Sequence, residues 1–190
     1  MPLTKSEFRK NCLNKIKTYS NHNLIYRNKR LNLALSKELK NVKNKKILFF
    51  WPLGFEANIT DSILKKRKEC ELFLPFMEGE SFKMVPFRLP LKKKKFGIYE
   101  AGNSLRNIKK IDIAIVPAVG VDGNLQRVGF GKGMYDRFFA KLKKKPYVIF
   151  VQANPCYTRE LICDDYDVAA DLLLTPKVKV KTHSRIKKGI

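Results

Sequence analysis

The sequence predicts an α/β fold with a mainly parallel, open sheet and helices on both faces. Short, β-branched apolar runs alternate along the chain with segments of helical periodicity, which is typical of a parallel sheet. Residues 111–116 (I-D-I-A-I-V) and 147–151 (Y-V-I-F-V) show little alternation between apolar and polar side chains, as is typical of strands covered on both faces. The chain has 190 residues, 44% of them hydrophobic, so we predict a single domain over residues 1–190 with a basic tail from about 177.

Four helices are predicted from their end signals and apolar spacing. Thr4 and Glu7 match a capping box, and residues 5–19 then repeat apolar side chains on one face. A lysine-rich second helix is predicted over residues 23–39, and Thr60 is expected to cap a third helix that runs to about residue 68. The fourth is expected over residues 134–144.

Three further strands are predicted between these helices. Residues 46–51 (K-I-L-F-F-W) form a strong candidate that Pro52 ends, because proline cannot donate a hydrogen bond to a ladder. Residues 71–76 and 82–86 are candidates on either side of a Glu-Gly turn. Beyond Thr175 we expect only the basic tail.

The stretch from 117 to 139 contains a glycine-rich loop that suits a phosphate site. Gly129, Gly131 and Gly133 alternate along the loop, and glycine lets backbone N–H groups approach an anion without a Cβ in the way. The helix that follows would point its N-terminal N–H groups at the same anion. A turn between a strand and a helix, with no ligand, is the simpler alternative for a short glycine motif.

Charged residues of two signs accompany this loop. Arg127 and Lys132 are cations of the kind that grip phosphate, and Asp136 is a carboxylate that suits Mg²⁺ beside a triphosphate. The loop is not a Walker motif, because no GxxxxGK[ST] occurs in the chain. It also fits a dinucleotide fingerprint poorly, since position 134 is Met and no acidic residue follows at the required distance.

The formal net charge of +23 favours an anionic partner. Solvated surface lysines explain most of the lysine runs, and charge alone does not choose between nucleic acid and nucleotide. No apolar run reaches the ~18 residues of a membrane span, and the first residues, M-P-L-T-K-S-E-F, lack the apolar core of a secretory signal. We therefore expect a cytoplasmic protein that does not bind membranes.

The cysteines and histidines give no metal motif. Cys12, Cys70, Cys156 and Cys163 are widely spaced without a CxxC pair, so we expect reduced, buried thiols rather than disulfides or zinc ligands. The chain has 2 histidines, His22 and His183, too few for a His-rich site.

The central stretch resembles the signature of the 5-formyltetrahydrofolate cyclo-ligase (methenyltetrahydrofolate synthetase) family. The matching positions are Pro117, Asp122, Arg127, Gly129, Gly131, Gly133, Tyr135, Asp136 and Arg137. Elsewhere the resemblance includes a K-x-x-x-R pair near the start, residues 56–59 (E-A-N-I), residues 96–100 (F-G-I-Y-E) and Asp167. The chain departs from the family pattern at Asn124, Met134, Ala101 and Tyr166, the last of which replaces a histidine.

This resemblance implies a three-layer α/β/α fold of the NagB/RpiA/CoA-transferase-like type and an ATP- and Mg²⁺-dependent ligase. The reaction would close 5-formyltetrahydrofolate to 5,10-methenyltetrahydrofolate and release ADP and phosphate. The residues expected to bind ATP are Lys5, Arg9, Arg127, Gly129, Phe130, Gly131, Lys132, Gly133, Met134 and Tyr135. The residues expected to bind the folate are Trp51, Glu56, Glu100 and Tyr135. The residues expected to act in catalysis are Arg127, Lys132 and Tyr135. Asp136 and Asp167 are expected to hold Mg²⁺.

Two other functions are compatible with parts of the sequence. A nucleic-acid-binding module would explain the charge but has no use for Asp136 and Asp167. A sugar-phosphate isomerase on a related α/β fold would bind phosphate without ATP. We expect a monomeric enzyme whose ligands are a folate and ATP, and not a nucleic acid.

Overall fold

A computed structural model describes residues 2–19, 23–94, 97–105, 108 and 110–182. In these residues the helices are α1 (Lys5–Tyr19), α2 (Leu24–Glu38), α3 (Thr60–Lys66) and α4 (Met134–Ala140). None of them is long and apolar enough to cross a membrane. The strands are β1 (Lys46–Leu48), β2 (Glu71–Glu78), β3 (Ser81–Pro86), β4 (Lys92–Lys93), β5 (Tyr99–Glu100), β6 (Ile113–Pro117), β7 (Gly120–Val121), β8 (Arg127–Val128), β9 (Tyr147–Val151), β10 (Leu172–Leu174) and β11 (Lys179–Lys181).

Seven strands form the central sheet, in the order β11-β10-β9-β6-β1-β2-β3. The inner pairs are parallel, whereas the pairs β10–β11 and β2–β3 at the two edges are antiparallel. Two short antiparallel ladders, β4–β5 and β7–β8, lie outside this sheet. The predicted mainly parallel sheet is therefore confirmed.

Apolar side chains cover both faces of the sheet, which explains why apolar and polar residues alternate so little along its strands. One face carries Ile47, Ile115 and their neighbours, which form a buried cluster with the apolar side chains of α2 and α3. The other face carries Leu48 and Val116 and forms a second cluster with α4, whose buried residues are Phe138 and Phe139. Covering both faces removes apolar area from water on each side, so the predicted α/β/α layering is confirmed.

Helix α1 packs apart from the main layers, and a disulfide joins it to the segment after β9. Its side chains Phe8 and Cys12 belong to a third buried cluster with Val119, Val128 and Cys156. The sulfur atoms of Cys12 and Cys156 are bonded, so the expectation of reduced thiols is wrong for this pair. The 144-residue separation of the two cysteines hides their proximity, which only the packing of α1 creates.

The helix bounds differ from the prediction by one or two residues in α2 and at the end of α3, and more clearly at two other helix ends. Thr60 begins α3 instead of capping it: Ile59 is the N-cap, and the Asn58 Oδ1 accepts hydrogen bonds from the Thr60 N–H and hydroxyl. Helix α4 ends at Ala140, four residues short of the predicted end. Beyond Ala140 the hydrogen bonds tighten to i→i−3, from the Lys141 N–H to the Phe138 carbonyl and from the Leu142 N–H to the Phe139 carbonyl, which ends the α-helical pattern.

The basic tail is more ordered at its start than predicted. Residues Lys179–Lys181 form β11, which pairs with β10 at the edge of the sheet. Thr175 turns the chain, since its hydroxyl accepts the Val178 N–H at 2.7 Å. Lys179 and Lys181 both form ion pairs with Glu38 on α2, which fixes the edge strand against that helix. The rest of the predicted tail, 183–190, lies outside the described residues.

Candidate active site: two adjoining pockets

A pocket rich in charged residues, here called the anion pocket, lies where α1 meets the glycine-rich loop. Its volume is about 470 Å³. Nine of its lining residues are among those expected to bind ATP or metal: Lys5, Arg9, Arg127, Gly129, Gly131, Lys132, Gly133, Asp136 and Asp167. Arg137, Ala140 and Tyr166 also line it. Residues far apart in the chain thus meet around one cavity with a predominantly positive wall.

Helix α1 contributes two cations to the anion pocket. Lys5 forms an ion pair with Asp167 and hydrogen bonds to Asp164 at 3.0 Å. Burial is the largest influence on the pKa of Lys5 and lowers it, but the hydrogen bonds to the two carboxylates outweigh it and raise the pKa. The Arg9 Nε donates a hydrogen bond to the Gly129 carbonyl at 2.9 Å. Arg9 is therefore held against the loop, and Lys5 is held as a cation by the two carboxylates across the pocket.

The glycines of the loop also meet steric needs of the folded chain itself. A Cβ on Gly129 would lie 2.4 Å from the Arg127 guanidinium nitrogen, so a side chain there would displace the arginine. Gly131 and Gly133 have φ angles of 98° and 55°, which favour glycine because of steric hindrance at a Cβ. The absence of a side chain at Gly129 therefore makes room for the buried Arg127.

Arg127 is the most buried cation of the site. Its Nε donates to the Pro117 carbonyl at 2.9 Å, and its guanidinium lies 4.7 Å from the centroid of the Tyr135 ring. Burial lowers the pKa of Arg127, and the nearby charge of Asp136, 3.9 Å away, opposes that shift. The guanidinium is thus fixed in position at the wall of the pocket.

Asp136 and Asp167 both line the anion pocket, as expected for residues that would hold a cation with a triphosphate. Each already accepts a backbone hydrogen bond, Asp136 from the Val168 N–H and Asp167 from the Asp164 N–H. No group of three or more His, Cys, Asp or Glu side chains in the described parts of the chain is placed to hold a metal by itself. Two carboxylates suit Mg²⁺ that is also bound by substrate phosphates, because Mg²⁺ often uses one or two protein carboxylates in this way.

A second, mainly apolar pocket lies beside the anion pocket. Its volume is about 400 Å³, and it opens near the carboxyl end of β1 and the β2–β3 hairpin. Arg127, Lys132 and Gly133 line both pockets and form their common wall. The remaining lining residues are Phe50, Trp51, Leu53, Phe55, Glu56, Pro75, Met77, Phe82, Ile98, Tyr99, Pro117, Phe130, Met134 and Tyr135.

Aromatic side chains dominate the apolar pocket. The Tyr135 ring meets the Phe82 ring edge-on at 5.0 Å, and Phe55 meets Phe130 in the same way at 5.2 Å. Burial raises the pKa of Tyr135, so its phenol stays protonated. Flat rings arranged in this way suit a planar heterocycle, which can stack on them or meet their edges.

Glu56 is the acidic group of the apolar pocket. Burial raises the pKa of Glu56 to about 7, while the Leu53 N–H at 2.9 Å and the charge of Arg127 act against the shift. A carboxylate in such a setting accepts hydrogen bonds from N–H donors of a ligand, and its protonation can change near neutral pH.

Four of the expected site residues are placed differently from the others. Phe130 and Met134, expected to contact ATP, line the apolar pocket and not the anion pocket. Glu100, expected to contact the folate, lines neither pocket; it is buried, and its carboxylate accepts the Met77 N–H at 3.0 Å. Tyr135, expected in both sites, lines only the apolar one.

Several lining residues were not singled out from the sequence. Arg137 binds the carbonyls of Glu80 and Lys132, which ties the glycine-rich loop to the β2–β3 hairpin. Arg137 belongs to the matched family signature, and that match is the signal that could have identified it as a residue of the site. Phe82 had no signal beyond strand periodicity and Met77 lay outside the predicted strand, because their place in the pocket depends on the pairing of β2 with β3.

The fold and the two pockets together define a class: an α/β protein that can hold an anionic ligand directly beside a flat, apolar one. The model of the 5-formyltetrahydrofolate cyclo-ligase family matches residues 3–176, so the chain belongs to that family.

Relatives of known name agree with this membership. The probable 5-formyltetrahydrofolate cyclo-ligase of Schizosaccharomyces pombe is 30% identical over an alignment that covers 60% of this chain and 71% of that protein. The 5-formyltetrahydrofolate cyclo-ligase of Haemophilus influenzae is 31% identical, over 42% of this chain and 44% of that protein.

Solved structures extend the likeness over nearly the whole chain. The 5,10-methenyltetrahydrofolate synthetase of Aquifex aeolicus has a TM-score of 0.74 and 27% identity, and the match covers 99% of this chain and 95% of that one. The corresponding synthetase of Mycoplasma pneumoniae has a TM-score of 0.69 at 21% identity, over 92% of this chain and 99% of that one, which supports the fold.

Proposed function

We propose that this chain uses ATP to close 5-formyltetrahydrofolate to 5,10-methenyltetrahydrofolate, with release of ADP and phosphate. The observation that carries the proposal is the common wall of the two pockets, formed by Arg127, Lys132 and Gly133. A phosphoryl donor and a folate bound on either side of that wall would have their reacting groups next to each other. Holding two reactants in this way supplies much of the catalysis in phosphoryl transfer.

The anion pocket is the proposed site of the nucleotide. Lys5, Arg9 and Lys132 would neutralise the triphosphate, and the backbone of the glycine-rich loop would add N–H donors. Charge neutralisation matters here because the transferred phosphoryl group and the departing ADP both carry negative charge.

The apolar pocket is the proposed site of the pterin. Trp51 and Tyr135 would contact its ring, and the Glu56 carboxylate would accept hydrogen bonds from its N–H donors. The polarity of the two pockets matches the polarity of the two substrates, which supports this assignment over its reverse.

The chemistry follows from the ligands' own groups. The formyl oxygen attacks the γ-phosphorus, the bond to the β-phosphate oxygen breaks and ADP leaves. N10 then attacks the phosphorylated formyl carbon, the C–O bond breaks to release phosphate, and N10 gives up its proton to the departing phosphate, which leaves the 5,10-methenyl bridge. Arg127 and Lys132, at the common wall, would stabilise the charge on the transferring group, and Tyr135 would keep Arg127 in place by packing against it.

Magnesium fits this site as a partner of the nucleotide. Asp136 and Asp167 would hold it, and it would supply neutralisation of phosphate oxygens when bound. All the steps above rest on the chain's own cations and on the substrates.

The direct test is an assay of product formation. Purified protein is mixed with 5-formyltetrahydrofolate, ATP and Mg²⁺, and the absorbance of 5,10-methenyltetrahydrofolate is followed with time. We expect product only when ATP is present, with one ADP formed for each product molecule. Product that forms equally without ATP, or no product at all with well-folded protein, would reject the proposal.

A further inference from the structure

We propose that Asp164 is a positioning residue that keeps Lys5 in the anion pocket when the nucleotide and its metal take over Asp167. This inference rests on the proposed function, because it assumes that Lys5 binds phosphate and Asp167 binds Mg²⁺. Asp164 was not among the residues expected to act in the site, and it does not line the pocket itself.

The starting arrangement is an ammonium group shared by two carboxylates. The Lys5 Nζ hydrogen bonds to the Oδ2 atoms of both Asp164 and Asp167. The two acids differ in exposure: the Asp167 side chain is 5% exposed and the Asp164 side chain is 51% exposed. Asp167 is therefore part of the pocket wall, whereas Asp164 lies at the rim of the pocket.

Binding of a metal ion by Asp167 would weaken its ion pair with Lys5. Its Oδ2 already accepts the Lys5 ammonium and the Asp164 N–H, the latter at 2.8 Å. A divalent cation coordinated there would repel the ammonium strongly at such short range. Lys5 would then move away from Asp167, and the phosphates of the nucleotide would provide it with a new anionic partner.

Asp164 is placed to keep the displaced lysine within reach of the pocket. The Gln126 side chain donates to the Asp164 carbonyl at 2.7 Å, which anchors its backbone. The Tyr166 hydroxyl donates to the Asp164 carboxylate at 2.8 Å, and the Tyr166 ring lies 5.5 Å from the Lys5 Nζ. An oriented carboxylate and an aromatic face thus hold the ammonium from the rim side and limit the freedom that a long side chain would otherwise regain.

The test measures binding of a non-hydrolysable ATP analogue by calorimetry, with Mg²⁺ and separately with EDTA. We expect Asp164→Asn to raise the Kd about fivefold with Mg²⁺, the range of an exposed ion pair. With EDTA we expect less than a twofold change, because Asp167 still holds Lys5. Asp165→Asn is the matched control, since it removes the same charge from an exposed neighbouring residue, and it should change the Kd by less than twofold in both conditions.

A double-mutant cycle shows whether Asp164 acts through Lys5. In a Lys5→Ala background, Asp164→Asn should have no further effect on the Kd. An unchanged Kd for Asp164→Asn with Mg²⁺, an equal loss with EDTA, or a fivefold loss in the Lys5→Ala background would each overturn the inference. Failure of the wild-type protein to bind the analogue at all, with or without Mg²⁺, would instead reject the proposed function.

Discussion

The anion pocket and the apolar pocket share a wall but are built from different parts of the chain. The anion pocket combines cations from α1 with the glycine-rich loop and an aspartate that precedes β10. The apolar pocket combines aromatic residues from the end of β1, the β2–β3 hairpin and the start of α4. Substitutions on the common wall should therefore disturb both ligands, whereas substitutions elsewhere should disturb only one.

The largest effect is expected for Arg127→Lys, which changes the common wall and keeps the charge. Lysine cannot reproduce the hydrogen bond from Nε to the Pro117 carbonyl or the planar contact with Tyr135. We expect kcat to fall by about 10²–10³, the range for loss of a fixed charge-stabilising donor, and the KM of both substrates to rise. Steady-state kinetics with each substrate varied in turn measures this.

Arg159→Lys is the control, because it makes the same exchange at an exposed arginine that lines neither pocket. It should leave kcat and both KM values unchanged. If Arg127→Lys raised the KM of one substrate alone, the common wall would not contribute to the binding of both substrates.

A smaller and more selective loss is expected for Asp136→Asn, because Asp136 lines the anion pocket and not the apolar pocket. Asparagine retains an oxygen that can accept the Val168 N–H, so the local backbone contact persists. We expect kcat to fall about 100-fold and the Mg²⁺ concentration for half-maximal rate to rise, with the KM for folate unchanged. Activity measured across a Mg²⁺ titration, with the exposed Asp61→Asn as control, tests this; an unchanged titration would contradict a metal role for Asp136.

The same contrast shows what could be predicted from the sequence. Most residues of the anion pocket lie at fixed spacing in one stretch, 117–139, so a local pattern contains them. Its turn is also local: the Asp122 carboxylate accepts the N–H groups of Asn124 and Gln126 at 2.9 Å. The buried strands were predictable for the same reason, since apolar runs record burial on two faces.

The contacts that the sequence did not predict depend on packing between residues far apart in the chain. Phe82 faces Tyr135 only because β2 and β3 pair and α4 packs on them, and no spacing in the chain records that contact. The Cys12–Cys156 disulfide depends in the same way on where α1 docks. Glu56 was predicted as a ligand-binding group, but its raised pKa follows from burial that only the folded chain creates.

A pH-dependent effect is expected from Glu56, which belongs to the apolar pocket alone. Its folded-state pKa is raised to about 7 from an ordinary 4.5, so its protonated form favours folding. This contribution is complete below about pH 4.5 and is lost as the pH rises towards 7, and it amounts to at most about 3 kcal/mol. Denaturant unfolding of the wild type and Glu56→Gln at pH 5 and pH 8 measures the difference.

Glu56→Gln should remove this decline in the free energy of unfolding between the two pH values. In the wild type we expect the KM for folate to fall from pH 6 to pH 8, because only the ionised carboxylate accepts hydrogen bonds from N–H donors with both oxygens. Glu56→Gln should remove this fall. The KM for ATP should keep the wild-type pH profile. An identical pH dependence of stability in the two proteins would show that Glu56 titrates at an ordinary pKa.

The smallest effect is expected for Phe55→Ala at the rim of the apolar pocket. Phe55 is 43% exposed and meets Phe130 edge-on, so its removal should leave the core intact. Loss of one aromatic contact with the ligand should raise the KM for folate about two- to tenfold and leave the KM for ATP unchanged. Tyr157→Ala, at an exposed ring outside both pockets, is the matched control. An equal rise in the KM for ATP would mean that the rim of the apolar pocket also serves the nucleotide, and the division between the two pockets would have to be redrawn.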